Sequence, residues 1–176
     1  MCCKCIKHPL DFDRAYSPCV YEGVIRELIH MFKYKDKDYL GGSLSVLMTD
    51  FIKEYNLPMH IIDAIIPIPL HAAKLREREF NQSLILSEHI SRKFNIRVMD
   101  SALFRNRNTR TQTELKDIER FENIRGSFSV KEENSIRGKN FLLVDDVFTT
   151  GATCSEAART LKQAGANIVY CMTLAC

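Results

Sequence analysis

Short apolar runs alternate along this chain with longer stretches of helical periodicity. Residues 61–68 (IIDAIIPI), 141–144 (FLLV) and 168–174 (IVYCMTL) are almost continuously apolar, as expected of strands buried on both faces of a parallel sheet. Pro67 and Pro69 bracket the late end of the first run. In residues 24–32, 44–54, 82–93 and 155–164 the apolar positions recur every three to four residues, which predicts helices, the last stopped by Gly165. Residues 15–21 read as a strand entering the first helix, 96–104 as extended, 114–121 as helical and 127–130 as a short strand. Regular alternation of strand and helix predicts an α/β fold: an open, mainly parallel sheet flanked by helices.

Composition bounds this picture without changing it. A chain of 176 residues with 45% apolar content can bury one α/β core, and no internal repeat, low-complexity tract or linker divides it. No stretch approaches the length of uncharged apolar sequence that a membrane helix needs, and the start lacks a signal-peptide core. A cytoplasmic protein with no transmembrane segment is therefore expected. Twenty-five basic against 22 acidic residues leave a net charge of +3, too small to indicate nucleic-acid binding by itself. The cations are clustered, however, at Lys33, Lys35 and Lys37 and again at Arg105, Arg107, Arg110 and Lys116. Single-stranded DNA binding would need these clusters on one path with an exposed aromatic such as Tyr34 or Tyr39; two unrelated solvated loops are the alternative.

The chemistry concentrates in residues 139–166. The apolar run 141–144 ends at Asp145 and Asp146, and the connection 148–153 precedes the helix, so the segment lies where α/β sheets bind ligands, beyond the carboxyl end of a strand. Gly151 lets the backbone turn its amide hydrogens inward, Ala152 keeps the loop narrow, and Thr149, Thr150 and Thr153 add hydroxyls at a positive helix end. That combination suits a phosphate monoester. Two carboxylates beside it would repel phosphate alone but accept hydrogen bonds from sugar hydroxyls, or share Mg²⁺ with phosphate oxygens. A sugar phosphate satisfies both halves. The loop is not a Walker A motif, since it has no GxxxxGK[ST] lysine. The alternative is an Asp-capped turn with a structural role.

The turn 69–74 repeats this strand-end arrangement. Leu70 to Ala73 can present amide hydrogens, His71 can donate to a phosphate or cap a helix, and Lys74, Arg76 and Arg78 can balance anionic charge or form a solvated helix face. Tyr34, Phe80 and Phe148 are candidates to stack on a base, or are core aromatics.

Residues 142–153 (LLVDDVFTTGAT) resemble the phosphoribosyl pyrophosphate signature of type I phosphoribosyltransferases. Residues 65–90, through Pro67, Pro69, Leu70, His71, Arg78, Phe80, Asn81 and Gln82, resemble the ComF family of competence-associated proteins. Residues 21–34, through Tyr21, Gly23, Arg26, Leu28, Ile29, Lys33 and Tyr34, and residues 105–128, through Arg107, Thr109, Gln112, Thr113, Leu115, Arg120, Asn123 and Phe128, extend that likeness over essentially the whole chain.

The resemblance implies a type I phosphoribosyltransferase-like fold over residues 21–176, after a remnant of a cysteine-containing segment in 1–20. It implies phosphoribosyl pyrophosphate as donor with Mg²⁺. Asp145 and Asp146 are then the ribose- and metal-associated pair, Thr149, Thr150, Gly151, Ala152 and Thr153 the phosphate loop, and Leu70, His71 and Lys74 the pyrophosphate turn. Arg78 and Arg107 join the aspartates as catalytic candidates, with Gln112 beside Arg107 on a segment that closes over substrate. The likeness also implies a role in DNA uptake, with single-stranded DNA and a helicase or uptake protein as partners. The alternative is a non-catalytic DNA-binding accessory protein.

The chain departs from the family pattern twice. Glu79 stands where the family has glycine, adding negative charge near the pyrophosphate turn. The opening CCKC supplies Cys2 and Cys5, half of a four-cysteine ribbon. Cys3, Cys19 or His8 would have to complete it, and bound zinc is not expected. Cys154, Cys171 and Cys176 read as reduced thiols.

Overall fold

In the computed structural model, which describes residues 10–33, 37–107 and 117–176, a four-stranded parallel sheet forms the centre. In chain order the elements are β1 (Arg14–Tyr16), α1 (Gly23–Phe32), α2 (Leu40–Glu54), β2 (Ala64–Pro67), α3 (Ala72–Arg78) and α4 (Gln82–Phe94). They continue with β3 (Leu103–Arg105), α5 (Asp117–Ile124), β4 (Phe128–Val130), β5 (Asn140–Val147), α6 (Ala152–Gln163) and β6 (Ile168–Ala175). The sheet order is β1-β6-β5-β2, and β3 and β4 form a separate antiparallel pair.

Period-two alternation divides the core. On one face Ala64, Ile66, Phe141, Leu143, Val169 and Cys171 pack against Ala157, Ala158 and Leu161 of α6. On the other, Ile65, Leu142, Val144, Met172 and Leu174 meet Ile29 and Phe32 of α1, Met48 and Ile52 of α2, and Leu86 and Ile90 of α4. Residues of both parities are buried in the central strands, which is why these strands read as unbroken apolar runs.

Several boundaries differ from the pattern-based expectation. β5 does not stop at the aspartates but carries its pairing through them to Val147, where it still faces Ala175; parallel ladder bonds to β6 outweigh the low strand preference of Asp. Likewise α6 begins at Ala152, so Ala152 and Thr153 form its first turn and the true connection is residues 148–151. The expected strand 15–21 is three residues long, with one further bridge from Cys19 to Ala175. The stretch 96–104 breaks at Asp100 and pairs only at Val98 and from Leu103. Residues 72–78, expected partly as a turn, form α3. Because β1 pairs with β6, the sheet takes its edge strand from ahead of residue 21. No described helix is long and apolar enough to cross a membrane.

Candidate functional site

Strands β2 and β5 are parallel neighbours, with Pro67 opposite Val144 and the Ile68 amide bonded to the Val144 carbonyl at 2.9 Å. Their carboxyl ends therefore lie side by side, which brings the 68–71 turn next to the aspartates and the 148–151 turn. Sequence alone left this adjacency open.

Successive strand side chains diverge, and the two acids meet different partners. Asp145 Oδ1 accepts from Ser83 Oγ at 3.0 Å and from the Asp146 amide at 2.9 Å. Its carboxyl is pushed up to about 7, first by burial and then by the neighbouring Asp146 charge, against the opposing pull of these hydrogen bonds and Lys33. Asp146 forms an ion pair with Lys33 at 2.9 Å and is only 14% exposed.

Gly151 caps α6 in the left-handed region, with φ 79°. A Cβ placed there would lie 2.5 Å from Cζ of Phe148, so both backbone conformation and close packing require glycine. Phe148 in turn meets Phe12 edge-on at 5.9 Å, making it a packing aromatic that supports the turn from below. Thr149 is exposed and Thr150 half-buried, and the Ala152 amide donates weakly to Thr150 Oγ1 at 3.4 Å. The hollow inside the turn is about 10 Å³, room for about one water molecule. Thr149, Gly151, Ala152 and Thr153 are among the residues that line it.

On the neighbouring turn, His71 caps α3: its Nδ1 accepts from the Ala73 amide at 3.2 Å, so the capping alternative describes this arrangement. Leu70 is half-buried beside it. Lys74 is half-buried, and its amine is pushed down first by burial, then by Arg78 and Arg105, with a smaller effect of Lys33. Arg105, itself pushed down by burial, is drawn back by Asp145. Lys33, Lys74, Arg78 and Arg105 thus share one electrostatic neighbourhood with the two carboxylates. Arg78 donates to Gln82 Oε1 at 3.0 Å. Arg107 is exposed and donates to the Arg125 carbonyl at 3.2 Å, which directs it toward the turn before β4. Among the stacking candidates, Phe80 packs on Phe32 at 5.9 Å.

The residues 81–83 explain themselves structurally. Asn81 Oδ1 caps α4 through the Ser83 amide at 3.1 Å while its Nδ2 donates to the Ile68 carbonyl at 3.1 Å. Gln82, buried, links Arg78 to the Phe32 carbonyl at 3.4 Å. The FNQ stretch therefore ties the β2 turn, α1 and Arg78 together. Sequence reading omitted Lys33, Ser83 and Arg105 from the candidate site. Arg105 was visible only as a member of a basic cluster, Lys33 as a member of another and as a residue of the family pattern in 21–34, and Ser83 left no signal.

Tyr34, Thr109, Arg110, Gln112, Thr113, Leu115, Lys116 and the thiols and imidazole of Cys2, Cys3, Cys5 and His8 lie outside the described residues. Cys154 and Cys171 are buried free thiols, while Cys176 is exposed and Cys19 half-buried. Among the described residues no three His, Cys, Asp or Glu side chains converge as a metal site.

The phosphoribosyl transferase domain model matches residues 81–175. The DNA utilization protein YhgH of Escherichia coli O6:H1 is 31% identical over 98% of this chain and 78% of its own length. Competence protein F of Haemophilus influenzae is 28% identical over 99% of the chain and 77% of its own. Competence protein ComFC of Bacillus subtilis is 33% identical over 85% of the chain and 58% of its own. In fold, the chain resembles the glutamine phosphoribosylpyrophosphate amidotransferase of B. subtilis with a TM-score of 0.55 and 18% identity, over 85% of this chain and 30% of that one.

Proposed function

The chain belongs to the phosphoribosyl transferase domain family, among the competence protein F and YhgH relatives, and on that premise we propose that it binds phosphoribosyl pyrophosphate with Mg²⁺ as a donor for displacement at the anomeric carbon. The observation that carries this reading is the side-by-side arrangement of the Asp145–Asp146 pair, the Gly151 turn and the β2 turn with its cations. Asp145 and Asp146 accept hydrogen bonds from the ribose hydroxyls. Thr149, Thr150, Thr153 and the leading amides of α6 hold the 5′-phosphate. Lys74, Arg78 and Arg105 stabilise the departing pyrophosphate, and the half-buried setting of Lys74 and Arg105 strengthens that attraction. His71, engaged as a helix cap, contributes position rather than proton transfer.

The donor set fits Mg²⁺. This ion is commonly held by one or two carboxylates with water and phosphate oxygens completing its shell, and needs no closed protein cage. Asp145 and Asp146 would hold it, and when bound it would neutralise pyrophosphate charge. The names of the relatives, competence protein and DNA utilization protein, support placing this chemistry in DNA uptake. They also support contact with DNA, which we take as single-stranded, and the exposed Arg107, Arg125 and Lys131 are described cations beside β4.

Calorimetry with phosphoribosyl pyrophosphate and Mg²⁺ tests the donor reading. Asp145→Asn with Asp146→Asn is expected to weaken Mg²⁺-dependent donor binding by about tenfold or more while changing inorganic phosphate binding much less. No heat and no thermal stabilisation of the wild type by the donor would refute the reading, and equal losses would refute the division of labour between acids and threonines.

A further inference from the structure

Lys33 reaches the aspartate pair from outside both turns. It stands at the C-terminal cap of α1, where its amide donates to the His30 and Met31 carbonyls. The end of this helix is fixed by Ile29 and Phe32, both fully buried, and by the Phe32 carbonyl, which accepts from Gln82 Nε2 at 3.4 Å. From that anchored position the side chain crosses to β5 and places its Nζ 2.9 Å from Asp146 Oδ2. Lys33 is 26% exposed and Asp146 14%, so salt screens this pair less than one on the open surface.

The two carboxylates are held by different means. Both hydrogen bonds to Asp145, from Ser83 Oγ and the Asp146 amide, fall on Oδ1. Asp146 instead meets a full positive charge. Adjacent acids repel each other unless a cation lies close, and a lysine ammonium is a compact, strongly hydrated point charge with no planar fork. Among side chains it is the nearest in kind to a small divalent ion. The dipole of α1 would be served equally well by an ammonium left in solvent beyond the helix end; contact with Asp146 is a further feature that the dipole does not require.

We infer that Lys33 is a tethered counter-ion of the metal subsite: in the ligand-free protein it holds the Asp146 oxygen that a divalent cation would take, and it must be displaced for the metal to bind. This role presupposes the donor reading, to which Mg²⁺ at Asp145 and Asp146 belongs. Metal alone then binds weakly, since it replaces one cation by another. The donor supplies phosphate oxygens that accept hydrogen bonds from the released ammonium. Metal and donor therefore bind better together than apart, each raising the affinity of the other by the same factor. Lys33 is a positioning residue that acts through Asp146.

Titration of the full chain with Mn²⁺ alone, followed by calorimetry and by the EPR signal of unbound Mn²⁺, tests this role without the donor. Lys33→Met is expected to bind Mn²⁺ about tenfold tighter than the wild type, as loss of one partly buried competing ion pair provides. Lys33→Gln, which keeps a polar side chain without the charge, is expected to behave alike and serves if Lys33→Met does not fold. Lys33→Arg keeps the charge and is expected to stay within about twofold of the wild type. Lys33→Met combined with Asp146→Asn is expected to lose the gain. A lysine that merely holds the end of α1 would change the melting temperature and leave Mn²⁺ affinity where it was. Wild-type affinity in both Lys33→Met and Lys33→Gln, the same gain in Lys33→Arg, or a gain that survives Asp146→Asn would each overturn the counter-ion. Phosphoribosyl pyrophosphate, added last, separates the two readings. A Mn²⁺ gain in Lys33→Met with no donor binding to any variant would refute the donor and leave Lys33 as the counter-ion of a divalent-cation site.

Discussion

Asp145 carries the cost of the site in the absence of ligand. In the unfolded chain its carboxyl ionises near 3.8, and in the folded chain burial and Asp146 raise this to about 7. Below the lower value the group is protonated in both states and exerts no pH-dependent effect. Between the two values the folded state binds the extra proton, so stability falls as pH rises, and the full penalty remains above about 7. The penalty is at most about 4 kcal/mol, shared with Asp146 because the two ionise against each other. Asp145→Asn keeps an acceptor for Ser83 and removes the charge. It is expected to raise the melting temperature at pH 8 and leave it nearly unchanged at pH 4, as measured by calorimetry; a rise of the same size at both values would contradict the assignment. The two acids could be picked out from their place after an apolar run. That Lys33 and Ser83 complete their surroundings could not, since these arrive from 113 and 62 residues away.

At the scale of elements, the turn into α6 depends on one backbone angle. Gly151→Ala puts a methyl against the Phe148 ring in a left-handed conformation, a strain of about 1–2 kcal/mol before any ring movement. The expected result is a melting temperature about 5 °C lower together with loss of phosphate binding by calorimetry. Unchanged phosphate binding would show that the turn is not the cradle. The turn glycine and its threonines were legible from residue type, because few residues accept that φ. The extension of β5 through both aspartates was not, since it follows from the partner strand's backbone and not from the side chains of residues 145–147. The start of α6 at Ala152 was missed for a related reason: Gly151 itself provides the cap, so no Ser, Asp or Asn marked the boundary.

Across the whole molecule, the parallel pairing of β2 with β5 makes one site of two turns separated by about 80 residues. The DNA-contact reading is tested on described cations. A surface that includes Arg107 and Arg125 should bind fluorescent oligothymidylate with an affinity that falls as salt rises. Arg107→Ala with Arg125→Ala should cost about tenfold near 0.1 M salt and lower the salt slope by about two. Anisotropy that keeps wild-type affinity in this variant would remove the surface from the proposal.

By itself the sequence determined the alternation of buried strands and helices, the acids and threonines at a strand end, and the family likeness, because these depend on local periodicity and on residue types that few backbones tolerate. Only the tertiary structure decided strand order, the meeting of Lys33, Ser83 and Arg105 with Asp145 and Asp146, the closeness of Lys74 and Arg78 to Arg105, and the use of His71 as a cap. Those contacts join segments distant in the chain, and their energies depend on burial and separation in space.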